Sequence, residues 1–259
     1  MKITNFLALG ICLLFGSCTM QKSTVQVNDK GTEWGWNKGT IVVKTPERPA
    51  GQESVIGLAL PKMEVVRVGF VGLGMRGPGA VSRFTYIPGT QIVALCDYEK
   101  ERAEKCQKYL KEASLPKAAV YSGDKGYEEL CKRDDIDLVY IATDWLHHFP
   151  VAKCALENGK NVAIEVPSAM NLEQCWDLID LSEKKRLHCF ILENCCYDDY
   201  EMKSLLMVQD GIFGEVIRAE GAYIHELSEF WQYYWKDPND NDKDNLHWRM
   251  KYNMENRGD

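Results

Sequence analysis

The chain lacks any excess of positive charge: 31 Lys and Arg stand against 38 Asp and Glu, for a formal net charge of -7 over 259 residues. Its basic residues are scattered rather than clustered, which excludes the electrostatic footprint of a nucleic-acid binder and directs attention to a small-molecule ligand. It also lacks a bilayer-spanning run in its apolar leader, because the segment from Phe6 to Phe15 falls short of the roughly 20 residues that a spanning helix needs. None of its ten cysteines has a partner at C-x-x-C spacing, so no zinc site is expected. Disorder is excluded by a composition that is 45% hydrophobic and 27% charged, that of a globular protein. The length is enough for one large domain or two ordinary ones.

The leader reads as an address. Lys2 precedes the apolar segment, which has the length of a signal-peptide core and ends in Phe15-Gly16-Ser17-Cys18. That ending resembles a bacterial lipoprotein box, with Cys18 as the lipidated first residue; Phe15 stands where leucine is usual, and a plain cleaved signal peptide is the alternative. The expectation is an exported bacterial lipoprotein, periplasmic or at the cell surface, anchored by lipid without spanning the membrane. Cys106, Cys131, Cys154 and Cys175 fall singly on predicted helices as small buried side chains, and Cys195 and Cys196 are adjacent. One or two disulfides remain compatible with these spacings.

The centre of the sequence is VVRVGFVGLGMRG, from Val65 to Gly77. An apolar strand buried on both faces runs into Gly72, Gly74 and Gly77 at G-x-G-x-x-G spacing. The first glycine permits a tight turn, the second lets backbone approach a pyrophosphate, and the third lets the next helix pack closely. That helix would offer free N–H groups to phosphates. Such a motif alone is weak, but a second apolar run from Gln91 to Cys96 ends in Asp97, twenty positions beyond Gly77. An acidic residue there accepts hydrogen bonds from an adenine ribose and favours NAD over NADP.

Residues 18–64 read as a tether and irregular arm, with Trp34 and Trp36 as a hydrophobic latch. From Val65, strands and helices alternate through residue 194, which predicts a Rossmann-type doubly wound parallel sheet. The helix after the fourth strand of this series is expected from Pro150. Leu172 to Lys185 reads as an amphipathic helix with Cys175, Leu178, Ile179 and Ser182 on one face. Residues 195–259 read as the start of an α+β substrate domain, with a helix over Asp199 to Asp210 and a strand over Glu215 to His225. Ligands in such sheets bind at the carboxyl ends of the strands, so the places to look follow each strand.

From Val65 onward the chain resembles the NAD-binding sugar enzymes of the Gfo/Idh/MocA superfamily, and within it glycoside hydrolase family 109, the NAD-dependent α-N-acetylgalactosaminidases. The resemblance rests on VRVGFVGLGMRG, on Thr143-Asp144-Trp145-Leu146-His147-His148, on IEVPSAM from Ile164, on LENCCYDDYE from Leu192, on FGEVIRAEGAYIHEL from Phe213 and on the tail HWRMKYNMENRGD. Where the sugar dehydrogenases carry E-K-P with an acting lysine, this chain has Glu165-Val166-Pro167, and valine exchanges no proton. The resemblance implies a glycosidase with tightly held NAD, which oxidises the sugar at C3, eliminates the anomeric substituent, adds water and returns the hydride. NAD-dependent glycosidases are exceptions to the two-carboxylate rule.

The resemblance also assigns residues. NAD contacts are expected from Gly72, Gly74, Met75, Arg76, Gly77, Asp97, Trp145, Leu146, His147, His148, Glu165, Val166 and Asn194, and substrate contacts from Tyr223 and Arg249. A glycan bearing a terminal amino sugar is the implied substrate. The family continues past the final R-G-D with a Y-x-T-H-G motif. The reading is therefore of a fragment whose catalytic residues lie beyond Asp259, with an exposed sheet edge that favours association with another chain. Alternatives are a sugar oxidoreductase of the same superfamily and an inert NAD-binding fragment.

Overall fold

The computed structural model describes residues 26–27, 33–37, 40–43, 47–222, 224, 226 and 246–256. Within it the chain divides into two units, Met1–Asn194 and Cys195–Asp259, each described by itself.

The first unit carries two sheets. Three short strands, β1 (Gln26–Val27), β2 (Glu33–Asn37) and β3 (Thr40–Val43), pair antiparallel in the order β1-β2-β3. The arm was expected to be irregular; β-branched Thr40, Ile41, Val42 and Val43 against β2 account for the difference. The side chains of Trp34 and Trp36 lie outside the described residues.

The larger sheet has six parallel strands: β4 (Val66–Val71), β5 (Thr90–Asp97), β6 (Ala119–Ser122), β7 (Leu138–Ile141), β8 (Asn161–Ile164) and β9 (Cys189–Ile191). Their order is β6-β5-β4-β7-β8-β9. The connections run outward from β4 to β6, then return to its other side at β7. That reversal opens a crevice beside the carboxyl ends of β4 and β7.

Alternate residues of each strand feed two cores. Val68, Phe70, Leu95 and Tyr140 pack with Ala80 and Val81 of α1 (Gly77–Phe84) and with Ala103 and Leu110 of α2 (Lys100–Glu112). On the other face Val71, Ala94, Val139, Ile141, Val162 and Ile164 pack under α3 (Gly126–Cys131), α4 (Trp145–Glu157) and α5 (Leu172–Lys185). Both faces of the sheet are thus covered, as all-parallel strands require. The predicted fold class is the one observed.

Three local expectations change. Helix α4 starts at Trp145, five positions before Pro150, because Asp144 caps it: its carboxylate accepts from the backbone N–H groups of Leu146 (2.9 Å) and His147 (3.3 Å). Pro150 sits inside the helix. On α5 the buried positions are Leu178, Ser182 and Glu183, whereas Cys175 and Ile179 are exposed. Ser182 hides its hydroxyl by donating to the Leu187 carbonyl at 2.6 Å. Residues 215–222 form no regular element and are exposed. Elsewhere in the second unit, α6 (Asp199–Gln209) has no buried residue, and α7 spans Trp248–Asn256.

The stretch of the arm from residue 48 to 53 is fastened to α5 and to Arg186 after it by an ion pair and polar hydrogen bonds. The Arg48 guanidinium Nε lies 2.9 and 3.0 Å from the two carboxylate oxygens of Glu183, Gln52 Nε2 donates to Asp180 (2.9 Å) and Glu183 (3.0 Å), and Arg186 reaches the carbonyl of Glu53 at 2.7 Å. The hydrogen bonds from Arg48 and Gln52 hold the Glu183 carboxyl below its ordinary range. A depressed folded-state pKa contributes stability above the unfolded value, and that contribution is lost as pH falls through the folded one. Glu183→Gln is therefore expected to lower the urea midpoint at pH 7, and its deficit relative to the parent chain should close below about pH 4. A deficit that is constant with pH would show that the clamp is not ionic.

Candidate functional site

The turn after β4 is shaped by what cannot be accommodated there. Gly72 has φ +92°, and a Cβ on it would overlap the backbone of Ala142 and Thr143 just past β7. A Cβ on Gly77 would overlap the Gly72 carbonyl oxygen. The first and third glycines are therefore demanded by the protein's own packing. Gly74 differs: the nearest atom a Cβ would meet is Arg102 Nη1, at 3.8 Å. Among the described residues no packing contact requires glycine at that position, which fits the role of a second glycine that lets a pyrophosphate approach the backbone.

Asp97, the last residue of β5, holds the turn. Its Oδ2 accepts from the Leu73 N–H at 2.6 Å and its Oδ1 from the Glu99 N–H at 2.9 Å, while Arg102 Nη1 lies 3.8 Å from Oδ1. The carboxylate is 6% exposed. An ionised carboxylate has about four acceptor positions, of which these two backbone N–H groups fill two. Beyond the turn, α1 begins at Gly77 with no side-chain cap and no acidic residue in its first turn; Pro78 carries no N–H and the Ala80 N–H is bonded to the Arg76 carbonyl, so the open helix-start donors are those of Gly77 and Gly79. Met75 and Arg76 are exposed on the same turn. A cavity of about 260 Å³ adjoins it, lined by Leu73, Gly74, Pro78, Arg102, Lys105 and Tyr109 among others.

Two loops complete the crevice. After β7, Trp145 is half-buried, and Leu146 and His147 are exposed, with His147 Nδ1 2.7 Å from Asp144 Oδ2. His148, expected to contact the cofactor, is only 1% exposed. Its Nδ1 lies 2.7 Å from the Pro167 carbonyl oxygen and its Nε2 lies 3.1 Å from that of Thr143. A neutral imidazole donates to one of these and an imidazolium to both. His148 thus clasps the loop after β7 to the loop after β8 from inside.

After β8, Glu165 is fixed at both ends. Its N–H donates to the Ile141 carbonyl at 2.9 Å, and its Oε1 accepts from the Tyr140 hydroxyl at 2.9 Å. Tyr140 is stacked on Phe70, with ring centroids 5.1 Å apart, and meets Phe84 edge-on at 5.7 Å. Burial, then the Glu165 carboxylate, pushes the phenol's pKa up, so Tyr140 remains a donor. Val166 follows, half-buried, and Asn194 is exposed beyond β9.

The carboxyl ends of β4, β5, β7 and β8 thus bring together Gly72, Gly74, Met75, Arg76, Gly77, Asp97, Trp145, Leu146, His147, Glu165 and Val166, with His148 beneath them. Arg249 belongs to α7 in the second unit. Tyr223 and Cys18 lie outside the described residues. Sequence reasoning missed Tyr140, Arg102 and the capping role of Asp144. Tyr140 has no signal beyond a hydroxyl within an apolar strand, whereas Asp144 immediately before an aromatic-rich stretch is a recognisable cap.

Comparison with known proteins agrees with this geometry. Residues 66–192 match the model of an oxidoreductase family with an NAD-binding Rossmann fold. Glycosyl hydrolase family 109 protein 4 of Phocaeicola vulgatus is 72% identical over 258 residues, covering 100% of this chain and 49% of that protein. Glycosyl hydrolase family 109 protein 1 of Bacteroides thetaiotaomicron is 60% identical over 220 residues, covering 85% of this chain and 45% of the relative. The chain spans about half the length of the curated relatives it matches. Among solved structures, myo-inositol dehydrogenase from Lactobacillus casei in complex with NAD(H) and myo-inositol superposes with a TM-score of 0.52 at 27% identity, over 58% of this chain and 43% of that one.

The glycines make separable predictions. Gly74→Ala is expected to leave the unfolding midpoint unchanged and to weaken NAD binding at least about tenfold, or 1.4 kcal/mol, measured by calorimetry. Gly72→Ala is expected to destabilise the fold by at least about 1–3 kcal/mol from its backbone conformation alone. Equal destabilisation by both changes would contradict the assignment of Gly74 to a ligand. Tyr140→Phe, which removes the donor to the half-buried Glu165 carboxylate, is expected to cost about 0.5–1.5 kcal/mol in urea unfolding, the net worth of one hydrogen bond; no loss would mean that water replaces the hydroxyl.

Proposed function

This chain belongs to the Gfo/Idh/MocA family of NAD-binding oxidoreductases, on the branch of the glycosyl hydrolase family 109 proteins, and from that membership we propose that it is the cofactor-holding part of an NAD-dependent glycosidase. The single observation that carries this reading is Glu165-Val166-Pro167 at the carboxyl end of β8, on a crevice otherwise built for a dinucleotide. The side chain after Glu165 is an isopropyl group, which transfers no proton. A lasting dehydrogenation that relied on a lysine at that place has no base here.

NAD is the cofactor of this domain, and when bound it would supply a reversible hydride acceptor for a sugar hydroxyl, so that a redox cycle closed within one turnover could assist glycoside cleavage. The chain's own residues hold and orient. The N–H groups at the start of α1 and the bare backbone at Gly74 receive the pyrophosphate, and the remaining acceptor positions of Asp97 receive ribose hydroxyls, which favours NAD over NADP. Glu165, locked by Tyr140, lines the reacting end of the crevice. His148 keeps the two loops at that end in fixed relation from below.

The substrate proposed is an α-N-acetylgalactosaminide, with Arg249 and Tyr223 as sugar contacts. Cys18 is proposed as a lipid anchor that holds the protein outside the cytoplasm, where a cofactor recycled within each turnover removes dependence on a free NAD pool. The second reading, a sugar oxidoreductase, draws on the likeness to myo-inositol dehydrogenase. The test is to incubate the purified chain, loaded with NAD, with a chromogenic α-N-acetylgalactosaminide while NADH absorbance is followed. Chromophore release without net NADH is the expected result for the glycosidase. Net NADH would favour the oxidoreductase, and tight NAD binding with no turnover would restrict this chain to holding the cofactor.

A further inference from the structure

Arg102, on the first turn of α2, stands between the glycine turn and two carboxylates. Its Nη2 lies 2.8 Å from Glu99 Oε1 and its Nη1 lies 3.8 Å from Asp97 Oδ1. The same side chain lines the cavity of about 260 Å³ beside Leu73 and Gly74, a cavity that Arg76 does not line. Lys105 lines it too, with its ammonium 2.9 Å from Glu101 Oε1. Two carboxylates at the start of α2 are thus set against cations of this cavity.

The Glu99 side chain contributes little to the fold. Glu99 occupies the N-cap position of α2, yet its carboxylate makes no capping hydrogen bond and its side chain is 55% exposed. What it gives the turn is its backbone N–H, which donates to Asp97 Oδ1 whatever the side chain. An exposed ion pair such as Glu99–Arg102 adds little to stability. Its consequence falls on what approaches Arg102 from the cavity.

We propose that Glu99 is a positioning residue that selects the cofactor: it holds the Arg102 guanidinium, so that a ribose seated at Asp97 is accepted with a 2′-hydroxyl and refused with a 2′-phosphate. This rests on the placement of the adenine ribose at Asp97. A 2′-phosphate there brings up to about two negative charges beside the Asp97 carboxylate, and a nearby arginine is what accommodates such a phosphate in dinucleotide-binding folds. A guanidinium receives phosphate through paired N–H groups in a fixed fork. In this chain the fork is turned to Glu99 and Asp97, and the Glu99 charge itself repels the phosphate. The cavity and its cations stay in place when Glu99 is removed, so that single change uncovers a phosphate site.

The test measures binding of NAD and of NADP to the purified full chain by calorimetry, without turnover. In Glu99→Ser, where serine is a favoured cap residue too short to reach Arg102, the affinity for NADP relative to NAD is expected to rise at least about tenfold at low salt. Glu99→Asp keeps the charge and should retain the parent preference, and Arg102→Ala added to Glu99→Ser should cancel the gain. Because the effect acts between charges, the gain should shrink as ionic strength rises from about 0.01 to 0.15 M. An unchanged ratio in Glu99→Ser, a gain that persists without Arg102, or an equal gain from Glu101→Ser would overturn the proposal. Asp97→Asn tells its failure from that of the ribose placement. A ratio that moves with Asp97→Asn and not with Glu99→Ser keeps the ribose at Asp97 and removes Glu99 as the selector, whereas a ratio indifferent to Asp97→Asn would overturn the ribose placement and the proposal with it.

Discussion

The nucleotide half of this protein depends on one hydrogen bond, from the Leu73 N–H to Asp97 Oδ2 at 2.6 Å. A carboxylate at 6% exposure is costly to bury without partners. The partners it finds are backbone N–H groups, one from the glycine turn and one from its own strand end, with Arg102 alongside. Hydrogen bonds to a charged group contribute roughly 1.5–3 kcal/mol each. The same contact that makes the charge tolerable fastens the turn after β4 to the end of β5. A binding loop that would otherwise sample many conformations is held in one before any nucleotide arrives, so less ordering entropy is lost on binding.

That turn is wedged from the other side as well. Gly72 lies against Ala142 and Thr143 with no room for a methyl group, so the turn and the loop after β7 are positioned against each other. The loop after β7 is joined through His148 to the loop after β8, and the loop after β8 is fixed through Glu165 to Tyr140, inside the aromatic cluster with Phe70 and Phe84. A line of contacts therefore runs from the core under β4 round the crevice and back to β4. The exposed groups, Gly74, Met75, Arg76, Leu146 and His147, stand on it with little structural duty of their own. That division is what a preformed small-molecule site requires.

Much of this was legible before the structure. The glycine spacing, the position of Asp97 and the alternation of apolar strands with helices specify a doubly wound sheet, because local backbone geometry and period-two burial determine each of them. Side chains that act across the fold were not legible. His148 is a cofactor contact by family resemblance, and the sequence gives no sign that its ring also meets the Pro167 carbonyl, 19 positions away. Tyr140 looks like one more apolar strand residue until Glu165 comes within 2.9 Å of its hydroxyl. Pro150 misled because proline is commonest at helix starts, whereas the Asp144 cap sets the boundary here. On α5, Leu178 and Ser182 of the expected face are buried, whereas Cys175 and Ile179 are exposed and Glu183, bound by Arg48, is buried in addition.

The central claim is that Asp97 shapes the nucleotide turn in advance. Amide hydrogen exchange on the nucleotide-free protein, resolved residue by residue across the turn, tests it most directly. The account predicts that the Leu73 amide is strongly protected without NAD while the Met75 and Arg76 amides, exposed on the same turn, exchange quickly and gain protection only when NAD binds. A Leu73 amide that exchanges as fast as those of Met75 and Arg76, and is protected only after NAD is added, would contradict it.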